Sequence, residues 1–146
     1  MKKIQPSYTT LVITVENKFG VLARVSGLFS RRGVNIKSLA VAPTDKDEFS
    51  RITVDVDIEL ESVSLDQIIN QLEKLINVVE IRALDPSQSV ERELMIVTVK
   101  AEANERDELV ENLDKVGGKV LNIGTDSMML SLVGTPSLID DFELPT

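Results

Sequence analysis

Between Leu11 and Phe29 the apolar residues change their spacing, and that change limits what this chain can fold into. Leu11, Ile13 and Val15 alternate with their neighbours, the period of a strand with one buried face. After Glu16-Asn17-Lys18-Phe19 the spacing becomes helical. Val21, Leu22, Val25, Leu28 and Phe29 fall on one stripe of an amphipathic helix, with Arg24, Arg31 and Arg32 off it. Gly20 stands at the switch, and Gly33 ends the helix in the left-handed position that glycine adopts cheaply. A turn of this kind leaves backbone N–H groups unpaired at a helix start, beside a residue with no side chain to block approach. It is a seat for a small carboxylate, and an amino acid is its natural guest.

The pattern continues with a strand over residues 34–41 and a turn at Pro43-Thr44-Asp45-Lys46-Asp47. In the third strand Ile52, Val54, Val56 and Ile58 alternate with Arg51, Thr53, Asp55 and Asp57. A helix from about Ser64, its expected N-cap, puts Leu65, Ile68, Ile69, Leu72, Leu75 and Ile76 on one side. A fourth strand carries Val79, Ile81 and Ala83. The order β-α-β-β-α-β is the ferredoxin-like arrangement, and the fold class is α+β. After a linker at 86–91 the pattern restarts: a strand over 94–99, a helix over 104–116 closed by Gly117-Gly118, and strands over 120–123 and 128–133. Thr135-Pro136 is a cap and first-position pair for one more helix. We therefore expect a first domain at 1–85 and a second, βαββ domain at 92–146 that lacks a closing helix and strand.

Composition removes several function classes. The chain has no His and no Cys, hence neither the commonest general base nor a thiol nucleophile, and neither catalytic nor metal residues are expected. A formal charge of −8 and 3% aromatic content argue against nucleic acid as a partner. No apolar run approaches the ~20 residues of a membrane span, and Met1-Lys2-Lys3-Ile4-Gln5-Pro6 has no apolar stretch behind it. The expected compartment is the cytoplasm. Taken from the residues alone, Gly20 is equally a plain helix start, and Asn17 an ordinary turn residue that bonds its own backbone. Asn35, expected early in a strand on the face opposite Val34 and Ile36, is harder to set aside, because Asn is depleted in strands. A turn at Gly33 also accounts for it.

The motifs ENKFGVLARV (16–25), GLFSRRGVNIKSL (27–39), VAPT (41–44), SRIT (50–53), QLEKLINV (71–78) and VEREL (90–94) carry a resemblance. Residues 1–85 resemble an ACT domain, and the chain over residues 8–134 is similar to the acetolactate synthase (acetohydroxyacid synthase) small regulatory subunits. The resemblance implies a non-catalytic chain that activates a large catalytic subunit and confers feedback inhibition by valine, leucine or isoleucine. The large subunit would use thiamine diphosphate, Mg and FAD, with no cofactor in this chain. It implies a homodimer with the effector between two ACT modules. Asn17 and the N–H groups of Gly20, Val21 and Leu22 would hold the effector carboxylate, and Asn35 with Ile36 of the facing copy its other side. Burying a branched side chain there contributes roughly 1.5–3 kcal/mol. Lys37 departs from the family's usual Glu, and the short C-terminus departs from its longer second domain. A free-standing ACT sensor serving another biosynthetic enzyme is the alternative reading.

Overall fold

Alternation along the first strand becomes a buried face on a four-stranded sheet. The structure, a computed structural model, describes residues 8–57 and 64–144; the N-terminal hexapeptide and Ile58 lie outside them. Strand β1 (Tyr8–Glu16) leads into helix α1 (Val21–Arg31), strands β2 (Ile36–Pro43) and β3 (Phe49–Asp57), helix α2 (Leu65–Glu73) and strand β4 (Val78–Ala83). The sheet order is β2-β3-β1-β4, with every neighbouring pair antiparallel. β1 and β3 are central, so Leu11 opposite Val54 and Ile13 opposite Ile52 form the floor of the core. Onto it α1 packs Val21, Val25, Leu28 and Phe29, and α2 packs Ile68 and Leu72. This is the expected ferredoxin-like, ACT-type architecture.

Three apolar residues depart from the sequence pattern for identifiable reasons. Leu22 stays 41% exposed, because it sits one residue, about 100° of helix rotation, from the buried Val21. Ile76 is 93% exposed because α2 ends at Glu73 and Lys74 caps it, so Ile76 falls in a turn. Val79 is exposed because the pairing of β1 with β4 shifts at Thr14/Val15: Ile81 faces Ile13, but Val78 rather than Val79 faces Val15. The extra residue is a bulge that turns Val79 out and Val78 onto the core. Ser64 accepts from the Gln67 backbone N–H as the expected N-cap of α2.

The chain divides into two units, Met1–Ser89 and Val90–Thr146. The second begins after a 3-10 turn at Pro86–Gln88, whose cap Asp85 accepts from the Ser87 N–H. It contains β5 (Glu93–Lys100), α3 (Ala103–Lys115), β6 (Lys119–Ile123), β7 (Ser127–Gly134) and a six-residue helix α4 (Pro136–Asp141) capped by Thr135. Its sheet runs β5-β7-β6, which repeats the β1-β3-β2 placement of the first unit. Leu109 and Leu113 of α3 close on Val99, Met128 and Leu130. Gly117 has φ 74°, the left-handed end expected for α3. Gly118 is required by space instead: a Cβ there would lie 2.2 Å from Leu113 Cδ1. On the face away from α3, Leu94, Ile96 and Val133 are exposed.

Candidate functional site

β1 ends at Glu16, and the next four residues turn the chain into α1. The Asn17 N–H donates to the Glu48 carbonyl at 2.8 Å, and Asn17 Nδ2 to the Asp47 carbonyl at 3.2 Å. The turn is thereby tied to the β2–β3 loop, and the Asn17 carboxamide oxygen is left to accept. Gly20 occupies the N-cap of α1 at φ 83° and offers no side-chain cap. A residue with a Cβ is strained at that angle. The Val21 N–H reaches the Lys18 carbonyl at a long 3.4 Å. Among the described residues, no acceptor takes the N–H of Gly20 or Leu22. The head of α1 therefore presents free donors at the positive end of the helix dipole, and Gly20 itself places no side chain in front of them.

Around this turn lies a polar chain of contacts. Glu16 pairs with Lys18 at 2.9 Å, and the Lys18 hydrogen bond and charge hold the Glu16 carboxyl below the usual range for glutamate. Asn77, at the approach to β4, accepts the Glu16 N–H at 2.8 Å through its carbonyl and donates Nδ2 to Glu16 Oε2 at 3.5 Å. Its Oδ1 accepts from Arg24 Nη2. The apolar pattern of the sequence set Arg24 aside as a residue off the stripe. The signal that finds it is its spacing, one helical turn after Gly20.

Asn35 and Ile36 sit elsewhere. Asn35 precedes β2 rather than lying within it, is exposed, and accepts the Asp57 N–H at 2.9 Å through its carbonyl. Asn17 is bonded at Glu48 and Asn35 at Asp57. Nine residues of strand separate these two points, roughly 30 Å at ~3.3 Å per residue. One chain brings Asn17, Gly20, Val21 and Leu22 together and keeps Asn35 and Ile36 at the far end of the sheet. None of the six lines the cleft of about 590 Å³ between Asn112, Lys115, Thr135 and Phe142, or the hollow of about 210 Å³ between Thr14, Arg51, Glu80 and Arg82. Among the described residues, no group of three His, Cys, Asp or Glu side chains is placed to hold a metal ion, and no helix is long and apolar enough to cross a membrane.

The chain was then compared with known proteins. Residues 11–80 match the family model for the AHAS small subunit-like ACT domain, and residues 92–144 that for the small subunit of acetolactate synthase. The acetolactate synthase small subunit of Mycolicibacterium smegmatis is 44% identical over 131 residues, covering 90% of this chain and 76% of the relative. The small subunit of acetolactate synthase isozyme 3 of Escherichia coli is 40% identical over 132 residues, covering 90% and 80%. The crystal structure of the acetolactate synthase small subunit of Thermotoga maritima superposes with a TM-score of 0.81 at 27% identity, covering 91% of this chain and 82% of that one.

Proposed function

The chain belongs to the acetolactate synthase small-subunit family, a family of non-catalytic regulatory subunits, and from that membership we propose how it regulates. It binds the large catalytic subunit, which joins pyruvate to a second 2-oxo acid with thiamine diphosphate, Mg and FAD, and raises its activity in the cytoplasm. Valine, or another branched-chain amino acid, reverses that activation. The effector function resides in residues 1–85 and the coupling to the catalytic subunit in residues 92–146.

The effector site we propose lies between two copies of the chain. Asn17 and the free N–H groups at the head of α1 receive the polar end of the amino acid, and Asn35 with Ile36 comes from the second copy. The roughly 30 Å between the two groups within one chain is the reason a second copy is needed. The edge strand β2 suits that pairing. By register Leu39 and Val41 lie on the same side as the core residues Val54 and Ile52, yet stay 42% and 46% exposed. An uncovered edge with two apolar side chains favours a second strand beside it.

Regulation is then linkage. Valine stabilises one pairing of the ACT modules, and that pairing supports the catalytic subunit less well, with a coupling of about 1–3 kcal/mol. The observation that carries this reading over a free-standing ACT sensor is the match of the second unit, residues 92–144, to the same family. The test is acetolactate formation by the cognate large subunit, with and without this chain, across a valine titration. Activation that valine reverses is the expected result. No activation, with valine still bound in calorimetry, would favour the free-standing sensor.

A further inference from the structure

The head of α1 holds a cation for which the binding scheme above has no role. Arg24 stands one turn after Gly20, and helical side chains lean toward the N-terminus. Its Nη1 accordingly comes within 3.5 Å of where a Cβ on Gly20 would stand, over the opening of the turn. Its Nη2 is held by Asn77 Oδ1, a neutral acceptor. The nearby carboxylate, Glu16, is engaged by Lys18. Among the described residues Arg24 has no carboxylate partner. A guanidinium at the positive end of a helix is electrostatically unfavourable unless an anion is shared between the two. A guanidinium also offers a carboxylate a second N–H alongside the first, which backbone donors splayed around a turn do not.

We propose that Arg24 is the ion-pairing residue for the effector's carboxylate, and that Asn77 positions it without neutralising it. This rests on the effector reading above and sharpens it: the site selects for the free α-carboxylate, and the amide of the same amino acid is a poor ligand. Nη1 faces the carboxylate, the Gly20 and Leu22 N–H groups complete its coordination, and Nη2 stays on Asn77. A carboxylate in place of Asn77 would supply the counter-charge internally and remove the advantage.

The test is calorimetry on the full chain with L-valine and L-valinamide. The wild type is expected to bind valine well over the amide. R24Q weakens valine by about tenfold or more, the size of a lost charge-assisted bond, and leaves valinamide unchanged. N77D gives the same selective loss although Arg24 is still present, and R24K recovers part of it. Unchanged valine affinity in both R24Q and N77D, or equal loss for both ligands, overturns the assignment. If G20D abolishes valine binding while R24Q and N77D do not, Arg24 falls and the effector site stands. If the wild type binds no branched-chain amino acid, both fall together.

Discussion

Asn17 donates Nδ2 to the Asp47 carbonyl, 30 positions later in the chain, and so fastens the head of α1 to the loop between β2 and β3. Its backbone N–H repeats the link one residue on, at Glu48. The turn proposed to receive the effector is thus built from two distant segments, and its shape depends on both. Asn17→Ala keeps the backbone bond and removes the side-chain one. A single neutral hydrogen bond is worth about 0.5–1.5 kcal/mol, so a small fall in Tm is expected. Valine binding by calorimetry should weaken more than that fall implies, because the carboxamide oxygen is lost from the site as well.

Gly20 separates strain from occupancy. Its φ of 83° costs an ordinary L residue about 1–2 kcal/mol, and Asp tolerates this region better than Ala. Gly20→Asp is therefore expected to fold and to dimerise. It places a carboxylate where the effector's would go. The expected phenotype is activation of the large subunit without valine inhibition, read from acetolactate formation. Gly20→Ala pays the strain without the charge and should keep measurable inhibition. Inhibition that persists unchanged in Gly20→Asp would remove the head of α1 from the effector site.

The exposed side chains of β2 allow the pairing of copies to be tested without touching the core. Val41→Lys places a charge on an edge residue that is already 46% exposed, so the isolated chain should fold as before. Light scattering after size exclusion is expected to show a dimer for the wild type and a monomer for this variant. Valine affinity should fall with it, since Asn35 of the second copy is withdrawn. A dimer of undiminished affinity would place the copies on another surface.

In the second unit, Gly118 sits where β6 leaves the end of α3. A Cβ would meet Leu113 Cδ1 at 2.2 Å and the Ser131 carbonyl at 3.1 Å, and Leu113 is itself buried. Gly118→Ala should cost about 1–3 kcal/mol by overpacking. The melting of the second unit is expected to move down, while valine binding, which we propose belongs to the first unit, stays unchanged. Activation of the large subunit is then lost at a temperature where the effector site is intact. Coupled loss of both would mean the two units do not act separately.

The architecture was legible because it is written in periodicity. The switch at Gly20, the left-handed glycines and the alternation over 52–56 each mark an element by a local rule. Two of the three misread residues have their fate set by a partner strand or a helix end: Val79 by the bulge opposite Thr14 and Val15, Ile76 by the stop at Lys74. Arg106 illustrates the same limit in the second unit. It sits among the acidic residues Glu105, Asp107 and Glu108, yet it donates to the carbonyls of Gly124 at 2.8 Å and Thr125 at 2.6 Å, stapling α3 to the β6–β7 turn. At the head of α1, Asn17 and Gly20 could be found from turn chemistry. Asn77 could not, because its place beside Arg24 exists only once β4 lies beside β1.

Glu16 provides a reading of this cluster by pH. Lys18, through its hydrogen bond and then its charge, holds the Glu16 carboxyl below the usual glutamate range, with a smaller contribution from Asn77. A carboxyl whose folded value is depressed stabilises the fold above its unfolded value, and that stabilisation is lost as pH falls through the folded one. The loss therefore belongs on the acid side of the ordinary glutamate midpoint. A carbon-detected NMR titration of the Glu16 carboxyl is expected to show a midpoint below that of a free glutamate. Lys18→Gln should move it back up, whereas Arg24→Gln should not, because Arg24 reaches Asn77 rather than Glu16. An unshifted midpoint in the wild type would mean that Lys18 does not hold Glu16 in solution. A shift abolished equally by Arg24→Gln would mean that the guanidinium lies on Glu16, leaving it already paired when the effector arrives.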